Sequence, residues 1–126
     1  YDQIASDDLT SPVLDERYVL RQAGNLLNRL GSVKGQCILD LGCGQGKLSK
    51  ALAAAGAQHI VAVDVSIAYL QRLVGVSRIT PILANAERLP FRGDFDLIVC
   101  TDVMEHVLNL GSFLVSVNWA LREGGI

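Results

Sequence analysis

The sequence predicts an α/β fold, a doubly wound parallel sheet with helices on both faces. Three observations predict it. Short apolar runs alternate with longer segments whose apolar residues recur at three and four. The runs are continuous rather than alternating, as strands covered on both sides require. Each residue with distinctive chemistry also falls just after a run, at the strand end where open α/β sheets bind their ligands.

The elements follow in order. From Leu14 the positions Tyr18, Val19, Ala23, Leu26, Leu27 and Leu30 mark an amphipathic helix, with Gly31 as its C-terminal cap. Gln36 to Leu41 is a buried strand, broken by Gly42-Cys43-Gly44-Gln45-Gly46. Lys47 to Ala55 is helical, with Leu48, Ala51, Leu52 and Ala55 on one face and Gly56 after the end. A second strand runs from about His59 to Val63 and finishes at Asp64. Ser66 is placed to cap a helix carrying Ile67, Leu70, Leu73 and Val74. A third strand, Ile79 to Leu83, contains Pro81, which cannot donate to a ladder and so assigns that strand to an edge. The fourth, Phe95 to Cys100, centres on Leu97-Ile98-Val99. A last helix from about Ser112 to Leu121 shows Leu114, Val117 and Leu121 on one face. Right-handed crossovers follow from this alternation.

Composition narrows the function classes. The chain has 126 residues, 50% hydrophobic and 19% charged, enough for one domain with a real core. A net charge of −2 gives no general attraction to nucleic acid, and none is expected as a partner. No apolar run reaches the ~20 residues of a membrane span, and no secretory signal is visible. Cys37, Cys43 and Cys100 are an odd, scattered set that fits neither a disulfide framework nor a zinc site, so the expected setting is reducing and cytoplasmic. Residues 1–13 are polar and read as a flexible lead or lid, with 14–126 as the domain. Gly124-Gly125-Ile126 reads as a turn and the first residue of another strand, so the chain is expected to be a piece of a longer protein, truncated at the C-terminus.

The glycine turn permits positive φ and lets a ligand approach the backbone without meeting a Cβ, although such a pattern also fits an ordinary turn. A dinucleotide fingerprint wants a third glycine at the position of Lys47. Asp40, two residues ahead of the turn, would repel a pyrophosphate and suits an ammonium. S-Adenosylmethionine carries that ammonium, a positive sulfonium and no phosphate, so the charges favour it over NAD. Asp64, eighteen residues after Gly46, stands where a carboxylate can accept both ribose hydroxyls, against the plainer reading of a solvated strand end. Val65 behind it can pack on adenine. In Asn85-Ala86-Glu87-Arg88-Leu89-Pro90-Phe91 the Asn carbonyl can accept from an adenine amino group and a neighbouring backbone N–H can donate to a ring nitrogen. Alone, Asn85 reads as a turn residue.

Five blocks in this order, ILDLGCGQG (38–46), VAVDVS (61–66), NAERLPF (85–91), FDLIVCTDVMEHV (95–107) and LREGG (121–125), resemble the class I S-adenosylmethionine-dependent methyltransferases. The nearest flavour is the small-molecule group of quinone biosynthesis, and the resemblance covers Val33 to Ile126. It implies a Rossmann-like fold, with 14–126 as the N-terminal part of the domain and further strands after LREGG. It implies that Asp40, Gly42 and Gly44 line the methionine part of the cofactor and that Asp64 holds the ribose. Val65 and Ala86 would flank the adenine, with Asn85 and Glu87 at its edge. The family more often has Asp at position 85; Asn keeps the acceptor and loses the charge. Cys100 and Thr101 would offer backbone beside the methionine moiety. Cys43 and Cys100 both approach the cofactor in this reading, and neither has a basic partner that would make it a nucleophile.

Thr101-Asp102-Val103-Met104-Glu105-His106 follows the fourth strand, where the methyl group should point. His106 can serve as a general base, with Asp102 beside it. Asp102, Glu105 and His106 also resemble the Glu-x-x-Glu-His metal segment of small-RNA 2′-O-methyltransferases, but His59 is badly placed to complete it, and no metal site is assigned. A third reading gives the segment no chemical duty. The implied reaction is direct displacement at the sulfonium methyl by a small-molecule acceptor, with S-adenosylhomocysteine as product. A non-catalytic cofactor-binding module is one alternative; a nicotinamide dehydrogenase is another, opposed by Lys47 and Asp40.

Overall fold

The computed structural model describes residues 21, 24–29, 31–100 and 107–126. Four strands, β1 (Cys37–Leu41), β2 (His59–Asp64), β3 (Ile79–Leu83) and β4 (Leu97–Cys100), form one sheet in the order β3-β2-β1-β4. All neighbours are parallel. The helices are α1 (Lys47–Ala54), α2 (Ile67–Gln71) and α3 (Leu110–Ala120), with a 3₁₀ turn over Ala86–Arg88 and helix over 24–29.

Alternation along β1 sorts its side chains between two cores. Ile38 faces Leu48 and Leu52 of α1, Leu70 of α2, and Leu26 and Leu27 of the first helical stretch. Leu39 and Leu41 face Phe113 and Ala120 of α3 together with Val63 and Phe95. The sheet is therefore covered on both sides, as its apolar runs predict. Two successive crossovers, through α1 and α2, step from β1 outward to β3 on one face, whereas α3 follows β4 on the other. A constant handedness requires that division, because β4 lies on the opposite side of β1.

The edge position of Pro81 in β3 is as expected. Gly31 takes φ +78° and donates to the Leu27 carbonyl at 2.8 Å, closing the first helical stretch as its cap. The Ile126 N–H donates to the Asp96 carbonyl (3.0 Å) and its carbonyl accepts from Ile98 N–H (2.8 Å), the spacing of a parallel ladder against β4. This matches the turn-then-strand reading of the last residues.

Three expectations need correction. The Ser66 side chain makes no cap hydrogen bond, and α2 stops at Gln71, leaving Val74 exposed. In α3 the buried positions are Phe113, Ser116 and Ala120, while Leu114 is 54% exposed. The inward face therefore runs through Phe113, Ser116, Val117 and Ala120: Val117 packs on this core as expected, Leu114 does not, and the Ser116 hydroxyl accepts the Leu89 N–H at 2.7 Å. The reading of 1–13 as a lead or lid, most of the Leu14–Leu30 helix, and residues 101–106 lie outside the described residues.

Candidate functional site

Register brings the strand ends together. Leu41 of β1 lies beside Val63 of β2 and Cys100 of β4, and Asp64 lies beside Leu83 of β3. The segments 42–46, 65–66 and 84–88 therefore leave the sheet at one end. The connections turn in opposite directions from β1 and β4, which opens a crevice between those two strands.

The glycine turn has positive φ at Gly42 (+70°), Gly44 (+54°) and Gly46 (+78°). The Gly42 and Cys43 N–H groups both donate to the Val63 carbonyl, at 2.8 and 3.1 Å, which fastens the turn to the end of β2. Two of its glycines serve different ends. A Cβ on Gly46 would stand 2.3 Å from Leu73 Cδ2, so Gly46 permits the close packing of the turn on the core. A Cβ on Gly44 would meet nothing within 4 Å, so Gly44 keeps an open face.

Asp64 is fixed by two backbone donors. Its Oδ2 accepts from Gly44 N–H and its Oδ1 from Ser66 N–H, each at 3.0 Å. A carboxylate offers about four lone-pair positions, so each oxygen retains acceptor capacity for a hydroxyl. Asp40 is fully buried on the α1 side of β1. Its Oδ2 accepts from the Ser49 hydroxyl at 2.6 Å, while Oδ1 is buried with no partner among the described residues. Burial raises the Asp40 carboxyl to about 6, against the lowering influence of Ser49 and with a further push from the Asp64 charge. No motif marks Ser49; the one clue in the sequence is a hydroxyl between the apolar positions Leu48 and Leu52 of a core-facing helix.

Val65 is 51% exposed and Leu83 55% exposed at this same end. Apolar side chains left open beside Asp64 suit the face of a planar base. Asn85 is occupied as the cap of the 3₁₀ turn, its Oδ1 accepting from Glu87 N–H at 2.9 Å. Ala86 is half-buried and packs against the α3-side core. The Glu87 carboxylate accepts from Asn109 N–H, so its side chain clamps the loop to the start of α3. The Cys43 side chain belongs to the α1-side core, and burial pushes its thiol up, with Asp40 and Asp64 adding to the effect. Cys100, exposed at the end of β4, also has its thiol raised, by burial first and Asp40 second. Neither is an activated nucleophile. Thr101, Asp102, Glu105 and His106 lie outside the described residues. His59 opens β2 at the opposite end of the sheet, with Nε2 2.8 Å from Thr80 Oγ1.

With this geometry in place, likeness to known proteins becomes informative. The family model described as "methyltransferase domain" matches residues 38–125. A ubiquinone biosynthesis O-methyltransferase of Aromatoleum aromaticum is 32% identical over 106 residues, covering 79% of this chain and 45% of that protein. A tRNA U34 carboxymethyltransferase of Alcanivorax borkumensis is 35% identical over 103 residues, covering 76% of this chain and 32% of its own length. Among solved structures, a phosphoethanolamine N-methyltransferase of Haemonchus contortus, in complex with phosphomonomethylethanolamine and S-adenosylhomocysteine, gives a TM-score of 0.74 at 27% identity, over 83% of this chain and 26% of that one. The chain spans less than half the length of each of these relatives.

Proposed function

Because the chain belongs to the methyltransferase domain family, we propose that the protein carrying it binds S-adenosylmethionine and transfers a methyl group to a small-molecule acceptor. One observation carries the cofactor reading. Two carboxylates, Asp40 and Asp64, flank a glycine turn with an open face, and Asp64 is held by backbone N–H groups from two separate segments. The residues fit the group. A diphosphate would meet two negative side chains here, whereas a cationic, phosphate-free adenosine meets acceptors at both ends.

S-Adenosylmethionine supplies a methyl group already activated on a positive sulfur. What remains for this chain is binding and alignment, which by themselves are worth up to ~7–11 kcal/mol of barrier in the best cases. Asp64 holds the ribose hydroxyls. Asp40, with Gly42 and Gly44, receives the methionine end, and the Cys100–Thr101 backbone lies beside it. Val65 and Ala86 enclose the adenine at the edge marked by Asn85. His106, with Asp102, orients the acceptor or takes its proton; their place just after β4 supports that role.

The small-molecule acceptor is supported by the ubiquinone-biosynthesis relative and by a net charge of −2, which lacks the basic excess that nucleic acid attracts. Among the described residues no helix is long and apolar enough to cross a membrane, and the free cysteines 37, 43 and 100 support a reducing, cytoplasmic setting. Calorimetry with S-adenosylhomocysteine and NAD side by side tests the cofactor. Asp64→Ala should weaken S-adenosylhomocysteine by roughly 2 kcal/mol or more, since hydrogen bonds to a charged acceptor are lost. An unchanged dissociation constant would remove Asp64 from the site, and tight NAD binding would remove the cofactor.

A further inference from the structure

We propose that Ser49 is a positioning residue: its hydroxyl clamps Oδ2 of Asp40 and so presents Oδ1 as the acceptor for the cationic end of the ligand. The proposal rests on the cofactor reading above, but its geometry stands by itself. Ser49 and Asp40 are both fully buried, joined at 2.6 Å, and the second carboxylate oxygen is buried without a partner among the described residues. A buried carboxylate with one oxygen satisfied and one open is costly to keep ionised, so the hydroxyl has a second duty. It stabilises the charged form that an ammonium would need. Among the described residues the charge acting on Asp40 is that of Asp64 on β2. The Cys43 thiol of the glycine turn and the Cys100 thiol of β4 are both raised and stay neutral.

Such a role separates from mere packing. A serine that only fills space would cost the same whatever stands at position 40 and would leave the protonation of Asp40 alone. Two measurements on the full-length protein decide it: a carbon-13 carboxyl titration of Asp40 without ligand, and S-adenosylhomocysteine affinity against pH. Both are made for the wild type, Ser49→Ala, Asp40→Asn and the double variant, with thermal unfolding as the folding control. The wild-type Asp40 midpoint should lie near 6. In Ser49→Ala it should rise by at least about one pH unit, and affinity at pH 5, where the ionised fraction then falls about tenfold, should drop by that factor. In the Asp40→Asn background the same serine change should alter affinity less than about twofold. An unmoved midpoint, or equal losses in both backgrounds, overturns the proposal. If the wild type binds no S-adenosylhomocysteine at any pH, the cofactor reading fails, while the midpoints still decide the Ser49–Asp40 pair.

Discussion

At the scale of single residues, Asp40 departs from what stability alone would choose. Its carboxyl is raised from 3.8 to about 6 by burial. Below pH 3.8 native and unfolded chains both carry the proton, and the group costs nothing. Between 3.8 and 6 the unfolded chain releases its proton first, so stability falls as pH rises. Above 6 the cost levels at about 3 kcal/mol. The Asp40→Asn protein should therefore gain about 3 kcal/mol relative to wild type between pH 3.8 and pH 7, read by denaturant unfolding at the two pH values. A difference that does not change with pH would show that Asp40 is not buried as a charge. The glycines divide in the same way between folding and binding. Gly46→Ala should lose about 2–5 kcal/mol through its clash with Leu73 and its positive φ. Gly44→Ala should lose only about 1–2 kcal/mol and still fold, because its Cβ enters open space, yet S-adenosylhomocysteine binding should collapse. A Gly44→Ala protein with wild-type affinity would place the ligand elsewhere.

At the scale of elements, the 85–89 loop and α3 act as one piece. The Glu87 carboxylate takes the Asn109 N–H, and Ser116 takes the Leu89 N–H at 2.7 Å from within the packed face of α3. The helix that follows the 101–106 segment is thereby tied to the loop assigned to adenine. Ser116→Ala leaves the Leu89 N–H without this acceptor and should cost about 1–3 kcal/mol. Hydrogen exchange at Leu89 should accelerate first; unchanged protection there would mean that the loop is held from elsewhere. Apolar periodicity marks the buried face of α3 only in part. Of the pattern Leu114, Val117, Leu121, Val117 packs inward, whereas Leu114 is exposed and Phe113 and Ser116 take the inward positions. In α1, by contrast, Leu48 and Leu52 mark the buried face correctly, with the buried Ser49 hidden between them.

At the scale of the whole molecule, a parallel sheet with opposed crossovers creates one crevice and delivers three loops to it. The order β3-β2-β1-β4 puts β1, the strand before the glycine turn, between neighbours on both sides, so the turn leaves from an interior strand of the sheet. Asp64 ends the next strand, and its two hydrogen bonds join the loops after β1 and β2. On the proposed reading, the Asp40, Gly44 and Asp64 contacts to the cofactor all lie in the part of the family domain that this chain covers. The acceptor is a different matter. A ubiquinone-biosynthesis enzyme and a tRNA-modifying enzyme both match this portion at above 30% identity while more than half of each lies outside the match.

The sequence by itself determined the strands, the parallel class, the edge place of β3 and the family, because these follow from local periodicity, from proline chemistry and from short blocks in fixed order. It also named Asp40, Gly44 and Asp64. Only the tertiary structure decided what those residues do to one another. The partnering of Ser49 with Asp40, the bond from Asn109 to Glu87 and the inward turn of Ser116 all depend on segments that folding brings together; for the two serines the reason is that a hydrogen bond away from water outweighs the preference of a single position.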